Sequence, residues 1–277
     1  MNLTMYMHFA ETVRKLGWEA GADIAKGHGC TSVEIIDNTD PTKTRLLKSN
    51  EEAQVARKIL EEKGLSAACY SVFTNLYKSP QAIESLKEHA ERAAAVGSPF
   101  LHHTVLSWFD TQEELPDFDE AMECAVDAAE EVAKHAEKFG ITCLYEDQGF
   151  YANGIEGYRT FINEMKRRCK NVGVCGDTGN CLFVDVPAEK FFEVFIDDIK
   201  HVHIKDYFQK SASECPGNGW LRSLSGMWLY DAPMGEGIVN IDACMEILKN
   251  AGYRGAIAIE ADDVQHSVEY LRRYELY

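Results

Sequence analysis

Four short runs in the second half of the chain end in side chains that ligate cations. They are ITCLYE (141–146), VGVCGD (172–177), HVHIK (201–205) and AIAIE (256–260). In each, apolar residues alternate with small or polar ones, the period-2 pattern of a strand. Parity then sorts the side chains. Thr142, Leu144 and Glu146 share one side of the first run, and Gly173, Cys175 and Asp177 one side of the second. His201, His203 and Lys205 share a side of the third, and Ala256, Ala258 and Glu260 a side of the fourth, while Val202, Ile204, Ile257 and Ile259 point the other way. Three carboxylates and an imidazole brought to one place repel unless a cation stands among them. The set Glu146, Asp177, His203 and Glu260 is mostly hard oxygen. It suits one divalent ion, Mn²⁺ first with Mg²⁺ or Co²⁺ as alternatives, better than a closed structural zinc site. Two coordination positions remain for vicinal oxygens of a substrate.

Such a constellation needs several strands ending at one mouth. Strand patterns recur at about 3–9, 31–36, 65–72, 99–104, 141–146, 172–177, 199–205 and 255–260. Amphipathic helical patterns such as EEAQVARKILEEKG and PQAIESLKEHAERAAAVG lie between them, several ending at a Gly that reads as a C-cap. Eight strands alternating with helices predict an α/β chain, a (β/α)8 TIM barrel forming a single domain over 1–277, with an open doubly wound sheet as the structural rival. Barrel sites gather at the C-terminal mouth, so His203 is expected to point inward near it. The rhythm breaks at about 206–240, where CPGNGW, SLSGMW and PMGEG show little helical periodicity. We expect a long loop there over the active-site face, carrying Trp220 and Trp228. GEGIVN lacks the third Gly and the preceding strand of a dinucleotide loop.

The 45 acidic residues outnumber the 28 Lys and Arg, for a net charge of −17. Phosphate backbones and anionic lipid are repelled by such a surface, so neither nucleic acid nor membrane is an expected partner. No apolar run reaches membrane-spanning length, the N-terminus has no secretory pattern, and the nine cysteines form no CxxC pair. Reduced thiols and a cytoplasmic location are expected.

The pieces LYEDQG, CGDTGN, HVHIKD and IAIEAD, in this order and with GEG before the last helix and strand, resemble the xylose isomerase-like TIM barrel superfamily. That group of sugar phosphate isomerases and epimerases includes ketose 3-epimerases, hydroxypyruvate isomerases and inosose dehydratases. The resemblance covers essentially the whole chain. It implies one divalent ion on Glu146, Asp177, His203 and Glu260, with Glu146 and Glu260 also serving as the acid–base pair on opposite faces of the substrate. The implied activity is a metal-dependent isomerase or epimerase that removes a proton next to the carbonyl of a sugar or keto-sugar. The alternative is a lyase on the same scaffold, inosose-dehydratase-like or 3-keto-glycoside-cleaving, acting alone or as one subunit of a complex. Asn180 and the Lys205–Asp206 pair depart from the ketose 3-epimerase pattern, which often has His and Arg there. HxKD looks more like the inosose-dehydratase-like and keto-glycoside-acting branches. Oligomers are common in the family, so an oligomer is expected, with a hetero-assembly open.

Lys205 has inward parity and is a third catalytic candidate; the alternative is a lysine paired with Asp177 or Asp206. Of His102 and His103, consecutive in the fourth strand, one must face inward, and either could hydrogen-bond a sugar hydroxyl or serve in proton transfer, the alternative being a structural histidine. Asn180 and Trp108 complete the substrate-binding candidates, and Phe109 and Phe150 also follow strand ends where they could stack on a ring or pack at the rim. Glu34 ends the second strand and receives no role. An endonuclease on this barrel would need further histidine ligands and a basic groove, both missing here.

Overall fold

Strands and helices alternate along the chain and close on themselves. The computed structural model describes residues 1–40, 42–43, 45–106, 116–149, 151–214 and 216–274. Seven strands come first: β1 (Asn2–Met5), β2 (Ser32–Asn38), β3 (Ser66–Phe73), β4 (Phe100–His103), β5 (Thr142–Tyr145), β6 (Val172–Asp177) and β7 (Ile199–Ile204). Three short strands follow, β8 (Asp206–Lys210), β9 (Leu221–Arg222) and β10 (Trp228–Ala232), before β11 (Ala256–Ile259). The barrel runs β1-β11-β7-β6-β5-β4-β3-β2 and closes from β2 onto β1, all pairs parallel. This is the expected (β/α)8 TIM barrel in a single domain.

The outer ring consists of α1 (Met7–Leu16), α2 (Trp18–His28), α3 (Asn50–Glu62), α4 (Pro80–Val96), α5 (Phe118–Glu137), α6 (Gly154–Arg168), α7 (Ala188–Phe195), α8 (Ile241–Asn250) and α9 (Val264–Leu271). Capping chemistry sets several of their starts. Ser49 accepts the Glu52 N–H at 3.3 Å, Asn240 the Ala243 N–H at 3.2 Å, and Asp263 the His266 N–H at 2.9 Å. α4 stops at Gly97, whose φ of 83° is the left-handed conformation an L side chain resists. α5 buries mainly alanine (Ala121, Ala125, Ala128, Ala129, Ala133 and Ala136), which lets it lie close against the sheet. Among the described residues, no helix is long and apolar enough to cross a membrane.

Two expectations need correction. The strand expected at 3–9 ends at Met5, and α1 begins at Met7. Phe9, Ala10 and Val13 are buried at helical spacing, and that apolar stripe overrides the strand-like appearance of YMHF. The segment 206–240 is also not all loop. β8, β10 and β9 form an antiparallel sheet outside the barrel, with Phe208 opposite Tyr230 and Leu229 opposite both Gln209 and Leu221.

Register places the site. Asp177 on β6 pairs with His203 on β7, and His203 with Ala258 on β11. On the other side of the barrel, His102 on β4 pairs with Ser71 on β3 and Leu144 on β5.

Candidate active site

Glu146 follows the last residue of β5, Asp177 ends β6, His203 lies on β7 and Glu260 follows β11. Ligand atoms of Glu146, Asp177 and His203 all lie within 4.8 Å of one another. His203 Nδ1 stands 3.3 Å from Glu146 Oε2 and 3.9 Å from Glu260 Oε2. Ligands around one ion at about 2.1 Å stand roughly 3 Å apart when adjacent and about 4.2 Å apart when opposite. The two distances from His203 Nδ1 fall in that range.

The free valences fit a metal as well. Asp177 Oδ1 accepts the N–H groups of Gly179 and Asn180, both at 2.7 Å. Its buried Oδ2 accepts no well-directed hydrogen bond among the described residues and has only an ion contact, Lys205 Nζ at 3.1 Å. His203 donates Nε2–H to Glu34 at 2.9 Å; burial opposes its charge, but neighbours including Glu34 and Glu146 raise the imidazole well above its ordinary value, and loss of the Nδ1 proton to an incoming cation would leave the lone pair facing Glu146 and Glu260. Tyr6, just past β1, stacks on that ring with centroids 4.6 Å apart.

Glu34 organises more than His203. It is fully buried, accepts His201 Nε2–H at 2.6 Å and accepts the Ser71 hydroxyl. Because Ser71 has spent its only proton on Glu34, it must accept from His102 Nδ1–H at 2.9 Å. His102 Nε2 is therefore left as a bare acceptor, 3.6 Å from Glu146 Oε1 and without a hydrogen-bond partner among the described residues. Burial pushes the His102 imidazole down to about 4, so the ring is neutral at pH 7. For Glu34, burial alone would raise the carboxyl, but His203 and His201 hold it well below its ordinary range.

Two carboxyls at the mouth are driven apart. Burial raises Glu260, and the Lys205 ammonium 3.1 Å away offsets this only in part. Burial also acts on Glu146, but His102, His203 and Lys205 together take it below its ordinary range. Divergent pairs of this kind mark acid–base roles.

The DTGN and HIKD pieces interlock. Thr178 Oγ1 donates to the Lys205 carbonyl at 2.8 Å and accepts the Lys205 N–H at 2.9 Å. A Cβ at Gly179 would overlap Tyr207 and the Lys205 stem, so only glycine lets them pass. Asp206 receives four backbone N–H groups, from Tyr207, Gly235, Gly237 and Val239, at 2.9–3.0 Å. It ties the PMGEG turn to the end of β7. The mouth itself is a cavity of about 130 Å³ lined by residues that include Tyr6, Ser71, His102, Glu146 and Glu260.

A family model for the xylose isomerase-like TIM barrel matches residues 22–274. The chain belongs to that family. Among its relatives, an inosose dehydratase of Halalkalibacterium halodurans is 28% identical over 158 residues, 53% of this chain and 49% of that protein. The chain thus spans about half the length of the curated relative it matches. Among solved structures, the IOLI protein with a bound zinc atom superposes with a TM-score of 0.74 at 16% identity, covering 99% of both chains. The D-allulose 3-epimerase from Methylomonas sp. in complex with D-allulose superposes with a TM-score of 0.72 at 16% identity, covering 99% of this chain and 97% of that one. At such identity the likeness speaks for the fold.

Within this xylose isomerase-like barrel, the structure gathers Glu146, Asp177, His203, Glu260, Lys205 and His102 at one mouth. His103 is not brought in. Its ring packs edge-on against Tyr145, and its Nδ1 lies 3.0 Å from the Thr104 carbonyl. Asn180 is buried and supports Asp177 through its backbone, but is not among the residues lining the cavity. Trp108, Phe109 and Phe150 lie outside the described residues. Glu34, Ser71 and Tyr6 are the residues that sequence reasoning passed over. Glu34, expected at the end of the second strand, lies inside β2, and a carboxylate among apolar strand residues was its only signal.

Proposed function

We propose that this chain is a divalent-metal-dependent enzyme that removes a proton next to the carbonyl of a sugar or keto-sugar, as an isomerase or epimerase. The observation carrying this reading is the pair Glu146 and Glu260. Both flank His203 Nδ1, and their acidities are displaced in opposite directions. Glu260, raised, is the stronger base and takes the proton from the carbon. Glu146, lowered, stays ionised beside the ligand set. Returning the proton from Glu260 to the adjacent carbon gives isomerisation; inversion would require Glu146 first to take a proton from solvent and pass it to the opposite face, while Glu260 releases its own to solvent.

Glu146, Asp177, His203 and Glu260 would hold the ion, which when bound would supply Lewis-acid stabilisation for charge on the carbonyl oxygen. Lys205, pinned at its backbone by Thr178 and paired with Asp177 and Glu260, serves as a fixed positive charge near the developing anion. His102 accepts a substrate hydroxyl at Nε2. The turn between β9 and β10 is tied to the segment after β6, where Asp185 accepts the Ser223 and Ser225 hydroxyls.

A lyase reading has a specific observation behind it, the 28% identity to an inosose dehydratase. The same proton abstraction would then be followed by loss of a group at the next carbon. One experiment tests both readings. The protein is supplied with Mn²⁺ in D₂O and followed by NMR with ketoses, an inosose and 3-keto-glucosides, with a chelator control and Glu260→Gln. Metal-dependent deuterium uptake beside the carbonyl, lost in the variant, is expected, and the product distinguishes epimer from alkene. Uptake that survives both the chelator and Glu260→Gln would sink the assignment.

A further inference from the structure

Of the four side chains proposed to hold the ion, Asp177 has one oxygen left to offer. Its Oδ1 accepts the N–H groups of Gly179 and Asn180, both at 2.7 Å, so only Oδ2 can turn to a cation. The Lys205 ammonium already stands 3.1 Å from that oxygen. The contact is one of charge rather than direction, because Oδ2 accepts no well-aligned hydrogen bond among the described residues.

Glu260 is placed differently. Its Oε1 accepts the Lys205 ammonium at 3.1 Å, while its Oε2 faces His203 Nδ1 at 3.9 Å. One oxygen serves the lysine and the other the ligand cluster. Lys205 can therefore give up Asp177 and keep Glu260, whereas Asp177 Oδ2 cannot hold the ammonium and a divalent ion at once. The ammonium has its own reason to be there. Lys205 is only 5% exposed, its stem runs against Gly179, and a buried ammonium is tolerated only beside carboxylates. Glu146, Asp177 and Glu260 repel one another and need a positive charge just as much.

We infer that Lys205 is a built-in placeholder for the ion: its ammonium holds Asp177 and Glu260 together until a divalent cation arrives, then leaves Asp177 Oδ2 and stays on Glu260 Oε1. Metal binding is thus an exchange of cations at Asp177, and Lys205 sets its affinity. The inference rests on the proposed metal site and adds to it a role for Lys205 before any substrate is bound.

Lys205→Met keeps the stem and removes the charge. Two readouts should then move in opposite directions. Under a chelator the variant should unfold at lower urea, since the carboxylates have lost their cation. Mn²⁺, measured by competition with a fluorescent chelator, should bind it more tightly than the wild type by roughly tenfold or more, because an ammonium touching a ligand oxygen repels a dication strongly at the effective dielectric of a protein. A lysine that merely packs would give the first change without the second. Lys205→Ala gives an independent test, because n-propylammonium supplies the Cγ, Cδ, Cε and Nζ atoms that this variant lacks. It should raise the urea midpoint of Lys205→Ala under the chelator and weaken its Mn²⁺ binding, both beyond the effect of sodium chloride at equal ionic strength. Mn²⁺ affinity in Lys205→Met equal to or below that of the wild type, or n-propylammonium acting on Lys205→Ala no differently from sodium chloride, would overturn the inference. If Lys205→Met does not fold under the chelator, the n-propylammonium titration of Lys205→Ala decides alone. Mn²⁺ binding by none of the three proteins fells the proposed metal site and the inference with it; wild-type binding without tightening in Lys205→Met fells the inference alone.

Discussion

Replacing Glu34 by Gln changes almost no volume, yet it strikes the point on which three imidazoles depend. The carboxylate accepts from His201 Nε2 at 2.6 Å, from His203 Nε2 at 2.9 Å and from the Ser71 hydroxyl. An amide offers one oxygen and one NH₂, so at least one of those donors must face another donor. A hydrogen bond to a charged group contributes about 1.5–3 kcal/mol, and leaving a buried donor unsatisfied costs about 1–3 kcal/mol more. The metal-free variant should therefore lose about 3–5 kcal/mol, the range for breaking one partner of a buried pair. If the His203 ring loses its fixed tautomer, metal affinity should fall by about 10–100-fold, or about 1.4–2.8 kcal/mol. Urea unfolding in the presence of a chelator gives the first quantity, and Mn²⁺ competition against a fluorescent chelator gives the second. Ser71→Ala is the control. It removes the arm to His102 and one of the three donors to Glu34 but leaves both histidine contacts of Glu34, so metal affinity should stay within about twofold. A Glu34→Gln protein with wild-type urea midpoint and wild-type metal affinity would refute the reasoning, because Glu34 would then have no hold on His203.

Three further outcomes follow from the geometry. Lys205 lowers Glu260, so Lys205→Met should move the acid limb of the exchange-rate profile toward higher pH; an unchanged or acid-shifted limb would separate the two groups functionally. Gly237→Ala would push a Cβ into the Asp206 carboxylate and the Tyr207 carbonyl, costing about 1–3 kcal/mol of stability as the backbone bonds to Asp206 are lost, read as a lower urea midpoint. Burial pushes the His103 imidazole down to about 4. An unfolded imidazole takes its proton near 6.5, so between about pH 6.5 and 4 the unfolded chain binds the extra proton and stability is lost as pH falls, approaching about 1.4 kcal/mol per unit for this one group. His103→Gln should flatten that slope in urea melts at stepped pH; an equal slope would mean that His103 is protonated in the folded protein.

Strand parity was legible because β6, β7 and β11 are buried on both faces and their apolar residues mark the helix side without ambiguity, as Val202, Ile204, Ile257 and Ile259 do. FLHH on β4 has no such marker, so only the neighbours decide it. The edge contact with Tyr145 takes His103 outward, and Ser71 and Glu146 receive His102. Glu34 was illegible for a different reason. Its partners His201 and His203 lie 167 and 169 residues away, and no local pattern reports a contact closed only by the barrel. The antiparallel sheet at 206–232 gave no alternation to read, because β9 is two residues long and β10 has two consecutive exposed residues.

A single residue, Lys205, separates β7 in the barrel from β8 in the outer sheet. Asp206 clamps the near end of that sheet to the PMGEG turn, and Asp185 holds the serines at 223 and 225. Between these anchors Trp228 Nε1–H donates to the Glu214 carbonyl at 2.7 Å and Trp220 packs on Tyr230. For directed evolution this divides the chain into a part to leave alone and a part to randomise. Libraries confined to 211–214 and 216–220 would vary the connection from β8 to β9 while the residues that hold His203 in place are inherited unchanged.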